Sequence, residues 1–185
     1  SIRRMADLLW SSRNFDQVLA YEEELLEIRR RINGNDHPKT LDEMEDLADT
    51  LEQLDRYEEA EQYRLELLEI SRRKWGDEHR RTLNEMERLG ELYLDLDEDE
   101  KAFPYFRSAL ETRQRIWGDE DSDTLSSMEA MGELLEDQRK YEEAAPYFKH
   151  VLEVRRRTLG NEHGYTLLAI GDVAELLWAQ GKFER

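Results

Sequence analysis

The chain has 185 residues and no cysteine, with 45 acidic against 27 basic side chains and a net charge of −18. Disulfide and thiol chemistry are thereby excluded, and so large a negative charge repels nucleic-acid phosphates and anionic membrane surfaces while favouring basic partners. No apolar run approaches the roughly 18 residues that a membrane span needs, and no signal-peptide segment follows Ser1, so a cytoplasmic location is expected.

In chain order, the first landmark is Asn33-Gly34-Asn35-Asp36-His37-Pro38-Lys39-Thr40-Leu41. It returns as Trp75-Gly76-Asp77-Glu78-His79-Arg80-Arg81-Thr82-Leu83, as Trp117-Gly118 through Thr124-Leu125, and as Leu159-Gly160 through Thr166-Leu167, with Gly34, Gly76, Gly118 and Gly160 spaced by 42 residues. A fixed period of that length means one supersecondary unit stacked several times over a continuous core. The expected organisation is a single array over 1–185: a partial repeat over 1–34, full repeats over 35–76, 77–118 and 119–160, and the first helix of a fifth over 161–185. Because it begins and ends inside a repeat, the sequence also reads as a piece of a longer array.

Within each unit apolar residues recur twice at helical spacing, separated by a polar turn, so each unit is predicted to be a helical hairpin. In the unit after Gly34 the first helix is predicted over Pro38–Leu54, burying Met44, Leu47, Ala48 and Leu51, and the second over Tyr57–Lys74, burying Ala60, Tyr63, Leu67, Leu68 and Ile70. Pro38 suits the first helical position, where its missing N–H costs nothing, and each junction glycine suits the left-handed end of a helix. The next unit repeats the pattern with Met86, Leu89, Gly90 and Tyr93, then Ala102, Tyr105, Ala109 and Leu110. The one after has Met128, Met131, Gly132 and Leu135, then Ala144, Tyr147, Val151 and Leu152. One first-helix position is always small (Ala6, Ala48, Gly90, Gly132, Ala174), which predicts close helix approach there.

Met44…Leu47-Ala48…Leu51…Tyr57-Glu58-Glu59-Ala60 and Met128…Met131-Gly132…Leu135…Tyr141-Glu142-Glu143-Ala144 resemble the tetratricopeptide repeat along the whole chain. The usual repeat has 34 residues. The 42-residue form with its Gly-Asp-Glu-His-Pro-like junction is similar to the kinesin light chain subclass. The resemblance implies an all-α fold, an α-solenoid of antiparallel hairpins in a right-handed superhelix, whose first helices line a concave peptide-binding groove.

Three junction histidines, His37, His79 and His163, lie one repeat apart and so cannot converge on one ion; helix capping is the expected role, with no metal and no cofactor. Asp95-Leu96-Asp97-Glu98-Asp99 fails as a calcium loop, having Glu100 where the turn needs Gly and Phe106 where a bidentate Glu is needed. No phosphate loop, zinc-protease helix or nucleophile elbow is present, so the chain is expected not to be an enzyme. Arg31, Arg73, Arg115 and Arg157 form a ladder at second-helix ends, where cations complement the helix dipole. Trp75 and Trp117 are expected to plug the space between hairpins.

The solvent face of the first helices carries Asp42, Glu45, Asp49, Gln53; Asn84, Glu87, Glu91, Asp95; and Ser126, Glu129, Glu133, Asp137, nine acids and no base in twelve positions. One row, Asp7, Asp49, Glu91, Glu133 and Glu175, is acidic in every unit. The expected function is a scaffold that binds a basic peptide or protein segment through Asp49, Glu87, Glu91, Glu129 and Glu133, with Trp10, Leu94, Leu168 and Trp178 as apolar anchors. The alternative is a structural array that spaces or oligomerises larger domains. The last helix, with Leu168, Leu176, Leu177 and Trp178, is expected to support self-association.

Overall fold

A computed structural model of the protein describes residues 15–181. The described residues form eight α-helices and no strand: α1 (Phe15–Asn33), α2 (Pro38–Gln53), α3 (Tyr57–Trp75), α4 (Arg80–Asp95), α5 (Asp99–Trp117), α6 (Ser122–Asp137), α7 (Tyr141–Leu159) and α8 (Gly164–Ala179). Two compact units divide the chain, Ser1–Glu98 and Asp99–Arg185. In the first, α1 packs on α2, α2 on α3 and α3 on α4; in the second, α5 packs on α6, α6 on α7 and α7 on α8. Within each unit, each neighbour in sequence is a neighbour in space, the packing of an all-α solenoid of hairpins.

The helix ends follow from the junction chemistry. Gly76 ends α3 at φ +86°, with its N–H bonded to the Arg72 carbonyl, and Gly160 ends α7 in the same way at φ +87°. An L side chain at that φ is strained, so glycine is required. Three residues later the next helix is capped by a side chain. His37, His79 and His163 each accept the amide N–H two residues on at Nδ1 (3.2, 3.2 and 3.3 Å), and Asp121 serves the same purpose for α6. The first-to-second-helix turns use left-handed residues that are not glycine: Asp55, Asp97 and Arg139, at φ 56–57°. The Arg56 and Lys140 amides close these turns onto the Leu51 and Leu135 carbonyls at 2.9 and 2.8 Å.

The core is built from first-helix residues Leu41, Met44, Leu47, Ala48 and Leu51 and their repeats, against Ala60, Leu67, Leu68 and theirs. The predicted register is corrected at one second-helix position. Tyr63, Tyr105 and Tyr147 are half-buried, and the fully buried residue is the next one: Arg64, Phe106 and Phe148. Tyrosine keeps its hydroxyl at the edge, while the following side chain turns inward, and Phe148 meets the small residue of its partner helix. A Cβ placed on Gly132 would lie 2.7 Å from the Phe148 ring, so the small-residue position exists to seat that ring.

Other expectations also shift. Leu176, expected on an exposed apolar face, is 1% exposed and belongs to the core of unit 2. Ala174, expected at a tight helix contact, is exposed, and Ala6 lies outside the described residues. Trp75 is half-buried and stacks on His79, its capping neighbour, with ring centroids 5.5 Å apart and Arg81 5.3 Å over its face. In the arginine ladder, Arg73 reaches back to Asp36 (2.8 Å) and Arg157 to Glu120 (2.7 Å), so these cations tie successive junctions together in addition to closing their helices.

Candidate peptide-binding face

In unit 1 the first helices α2 and α4 present the acidic face, and the structure threads three arginines through it. Arg64, 1% exposed, rises from α3 and donates from Nε to Glu52 (2.8 Å) and from its terminal nitrogen to Asp49. Arg81, at the start of α4, donates to Asp42 (3.0 Å) and to Glu45 on α2. Arg88 donates to Glu91 at 3.0 Å. Five carboxylates therefore answer three guanidinium groups, and the face stays acidic in sum. Burial holds the Glu52 carboxyl above its ordinary range even against Arg64. Leu94 and Glu87, on the same helix as Arg88 and Glu91, are half-buried.

Below this face, Glu45, Asp49, Arg64, Arg81, Glu85 and Arg88 line a cavity of about 330 Å³, with Asn84 exposed at its mouth. Glu85 is 3% exposed and its Oε2 has no hydrogen-bond partner. Burial, with Glu45 alongside, pushes its carboxyl up to about 8. Glu22 on α1 behaves alike: burial, reinforced by Asp46, Glu43 and Asp49 against a hydrogen bond from Thr50, raises it to about 7.

In unit 2 the corresponding face belongs to α6 and α8. Arg155, 7% exposed, comes up from α7, grips both oxygens of Glu129 (2.6 Å to Oε2) and donates to the Tyr165 carbonyl at 3.2 Å. Beyond that pair Glu136, Asp137, Asp172 and Glu175 lie close enough to act on one another. Burial raises Glu136, and Glu175, Asp137 and Asp172 add to the shift; burial likewise raises Asp172 against the pull of Arg155. Glu133 is exposed on the same helix. Trp178 is 71% and Leu168 62% exposed on α8.

Of the residues singled out in the sequence, Asp49, Glu87, Glu91 and Leu94 thus share the face of unit 1, and Glu129, Glu133, Leu168 and Trp178 that of unit 2; Trp10 and Asp7 lie outside the described residues. Arg64, Arg81, Arg88 and Arg155 were missed because none occupies a solvent-face position of the first-helix pattern. Their signal lies in the repeat columns: Arg64 stands where Phe106 and Phe148 stand, and Arg155 aligns with Arg29 and Arg113. Among the described residues no group of His, Asp or Glu is arranged to hold a metal ion, and no helix is long and apolar enough to cross a membrane.

Hairpins capped at each junction, stacked in order and presenting a charged first-helix face, define a helical repeat protein of the interaction-scaffold kind. The tetratricopeptide repeat model matches residues 1–73, 42–115 and 123–185, and the chain belongs to that family. A search of curated proteins finds no match to the sequence. Among solved structures, the chain resembles a putative kinesin light chain with nearly identical TPR-like repeats from Podosopora anserina (TM-score 0.82, 18% identity, 98% of this chain and 86% of that one). It also resembles BtubC (BKLC) from P. vanneervenii (TM-score 0.80, 21% identity, 98% and 72%). A third similar structure is a Rap protein complexed with competence and sporulation factor (TM-score 0.72, 16% identity), of which the match spans 96% of this chain and 48% of that one.

Proposed function

We propose that the chain is a non-catalytic protein-interaction scaffold whose first-helix faces receive a basic peptide or protein segment. The observation that carries this reading is the excess of carboxylates over the arginines that reach those faces: Asp42, Glu45, Asp49, Glu52 and Glu91 around three guanidinium groups in unit 1, and Glu136, Asp137, Asp172 and Glu175 clustered in unit 2. The Rap structure held a factor, which supports ligand binding by this class of array. Exposed ion pairs contribute about 0–1 kcal/mol each, short of the roughly 8 kcal/mol of micromolar binding, so an apolar contact must add to them. Leu168 and Trp178 in unit 2 and Leu94 in unit 1 are placed to supply it, leaving the acids to steer and select.

Titrating a Lys/Arg-rich peptide and its Asp/Glu counterpart across a salt series tests the reading. The basic peptide alone is expected to bind, more weakly as salt rises, and Glu91→Lys with Glu133→Lys is expected to slow its association. Equal binding of both peptides sinks the proposal. A second reading, self-association through α8, is favoured by the exposure of Leu167, Leu168, Leu177 and Trp178. Sedimentation across concentration decides it: Trp178→Glu shifts a dimer to monomer, and a parent chain that is monomeric throughout removes the idea.

A further inference from the structure

The second-helix side of unit 2 carries a groove that unit 1 bridges. Its walls are α5 and α7 and its floor is α6, around a cavity of about 600 Å³. Phe103 and Tyr147, both half-buried, line the walls, and the buried side chains of Met131 and Leu135 form the floor. A second cavity, also about 600 Å³, shares Phe103 and reaches Gln138 and Lys140 at the turn between α6 and α7. Shifting by two repeats, 84 residues, carries Gln114 of this groove to Arg30 and His150 to Glu66. In unit 1 that pair is an ion bridge from α1 to α3 (2.7 Å), and the Arg30 guanidinium also rests on the Met44 sulfur of α2. In unit 2 both residues turn to the junction: Gln114 donates to the Asp119 carboxylate at 3.0 Å, and His150 Nε2 meets the Asp119 carbonyl at 3.1 Å. Neither crosses from α5 to α7. The wall residue follows suit, since Leu19 is buried in unit 1 whereas Phe103, its counterpart, is only half so.

The rim of the groove is acidic. Over the two cavities Asp99, Glu100, Glu111 and Glu143 stand against Arg107 and Lys140, an excess of two negative charges. Arg107 is matched by Glu111 at 2.7 Å, and Lys140 donates to Gln138 at 2.6 Å. Glu143 is left without a cation among the described residues. Its unit 1 counterpart, Glu59, is gripped through both oxygens by Arg56 at 2.7 Å each, but Lys140, which replaces Arg56, is turned to Gln138. Apolar walls under an uncompensated carboxylate rim are complementary to apolar side chains that have Lys or Arg beside them.

We infer that this groove is a second docking site, which takes a basic amphipathic helix of a partner protein. Its apolar face lies on Phe103, Tyr147 and the floor, and its cations meet Glu143 and the acids at the start of α5. Two cavities that meet at Phe103 suit successive anchors about one turn apart on a helix. A second copy of this chain fits poorly, because at a net charge of −18 it brings more acid to an acidic rim. The site shares no residue with the acidic first-helix face and does not rest on the reading of that face.

The probe is a fluorescein-labelled amphipathic helical peptide of Leu and Lys, titrated by anisotropy into the full chain and into the Glu91→Lys, Glu133→Lys variant, in which the first-helix face is disfavoured. Saturable binding is expected in both, and none for a counterpart peptide with Glu in place of Lys. Gln114→Arg with His150→Glu, which copies the unit 1 bridge, is expected to weaken binding at least about tenfold, the loss of a central anchor. Glu143→Lys, an exposed substitution that leaves the fold alone, is expected to weaken it by up to about fivefold. Absence of saturable binding, equal binding of the Glu peptide, or affinity unchanged by both groove variants overturns the site. A peptide that binds the parent and is lost only in the first-helix variant overturns the groove and leaves the first-helix reading standing. One that is weakened only by the groove variants keeps the groove and sinks that reading. A concentration-dependent dimer dissolved by the bridging pair in sedimentation makes a second copy the occupant and overturns the partner helix.

Discussion

The two units are built on the same repeat and fill one core position in opposite ways. Unit 2 uses Phe106 and Phe148 where unit 1 uses Glu22 and Arg64. Phe148 lies over Gly132 and needs no partner beyond shape. Arg64 is equally buried and must be answered by Asp49 and Glu52, which draws Asp49 of the solvent face and the neighbouring Glu52 into structural service. The lesson is that a repeat tolerates a charge in its core when the neighbouring helix can bring carboxylates to it, and that the same carboxylates then lose some of their freedom to meet a ligand. Unit 1 has exchanged packing for a polar network, and part of that network lines the cavity.

The sharpest way to break the contrast is in the aromatic half. Phe148→Ala is expected to cost about 3–5 kcal/mol, the usual loss for a fully buried ring, measured by denaturant unfolding. A loss under about 1 kcal/mol would mean that the ring does not hold the hairpin.

Arg64 offers the converse experiment. Arg64→Ala should cost about 3–5 kcal/mol, because it empties a buried volume and leaves Glu52 without its cation, whereas Arg64→Phe, which imports the unit 2 solution, should fall within about 1–2 kcal/mol of the parent. Should both substitutions cost the same, the network would be irreplaceable by packing and the comparison would fail.

Buried carboxyls give unit 1 a pH signature. The folded state raises Glu22 to about 7 and Glu85 to about 8 from an ordinary value of 4.5, so it binds protons that the unfolded chain has released. Their contribution is fully present below the unfolded value and is lost as pH rises through 7 and 8. Melting temperatures recorded between pH 5 and 9 should therefore decline by several degrees toward the alkaline end, and Glu22→Gln with Glu85→Gln should flatten that decline. A decline of the same size in the double variant would place its origin elsewhere.

The smallest effect concerns the turns. Arg139 holds φ 57° in unit 2, where Asp55 serves in unit 1. Since a left-handed residue costs a side chain of ordinary kind about 1–2 kcal/mol, Arg139→Gly should stabilise by up to about 1 kcal/mol and Asp55→Gly by less, because Asp tolerates that region better. The ordering of the two melting shifts is the readout.

How much was visible beforehand depends on whether a feature is local. The 42-residue period, the hairpins, the glycine stops and the histidine caps all follow from neighbours within a few residues, and helix bounds such as Pro38–Gln53 fell within one residue of expectation. The acidic first-helix face was equally legible, since helical spacing alone decides which side chains share a face. Its occupancy was not: Arg64 meets Asp49 from 15 residues away and Arg81 meets Glu45 from 36, distances set only when helices pack. The same holds for Tyr63 against Arg64, where a one-residue step around the helix decides burial and the partner helix decides which residue wins. By itself the sequence determined the class of fold and the sign of its charge, because periodicity and composition are properties of the chain alone. Only the tertiary structure decided which carboxylates are spent on arginines and which, like Glu22 and Glu85, are buried with one oxygen unpartnered, because a counter-ion is defined by position in space.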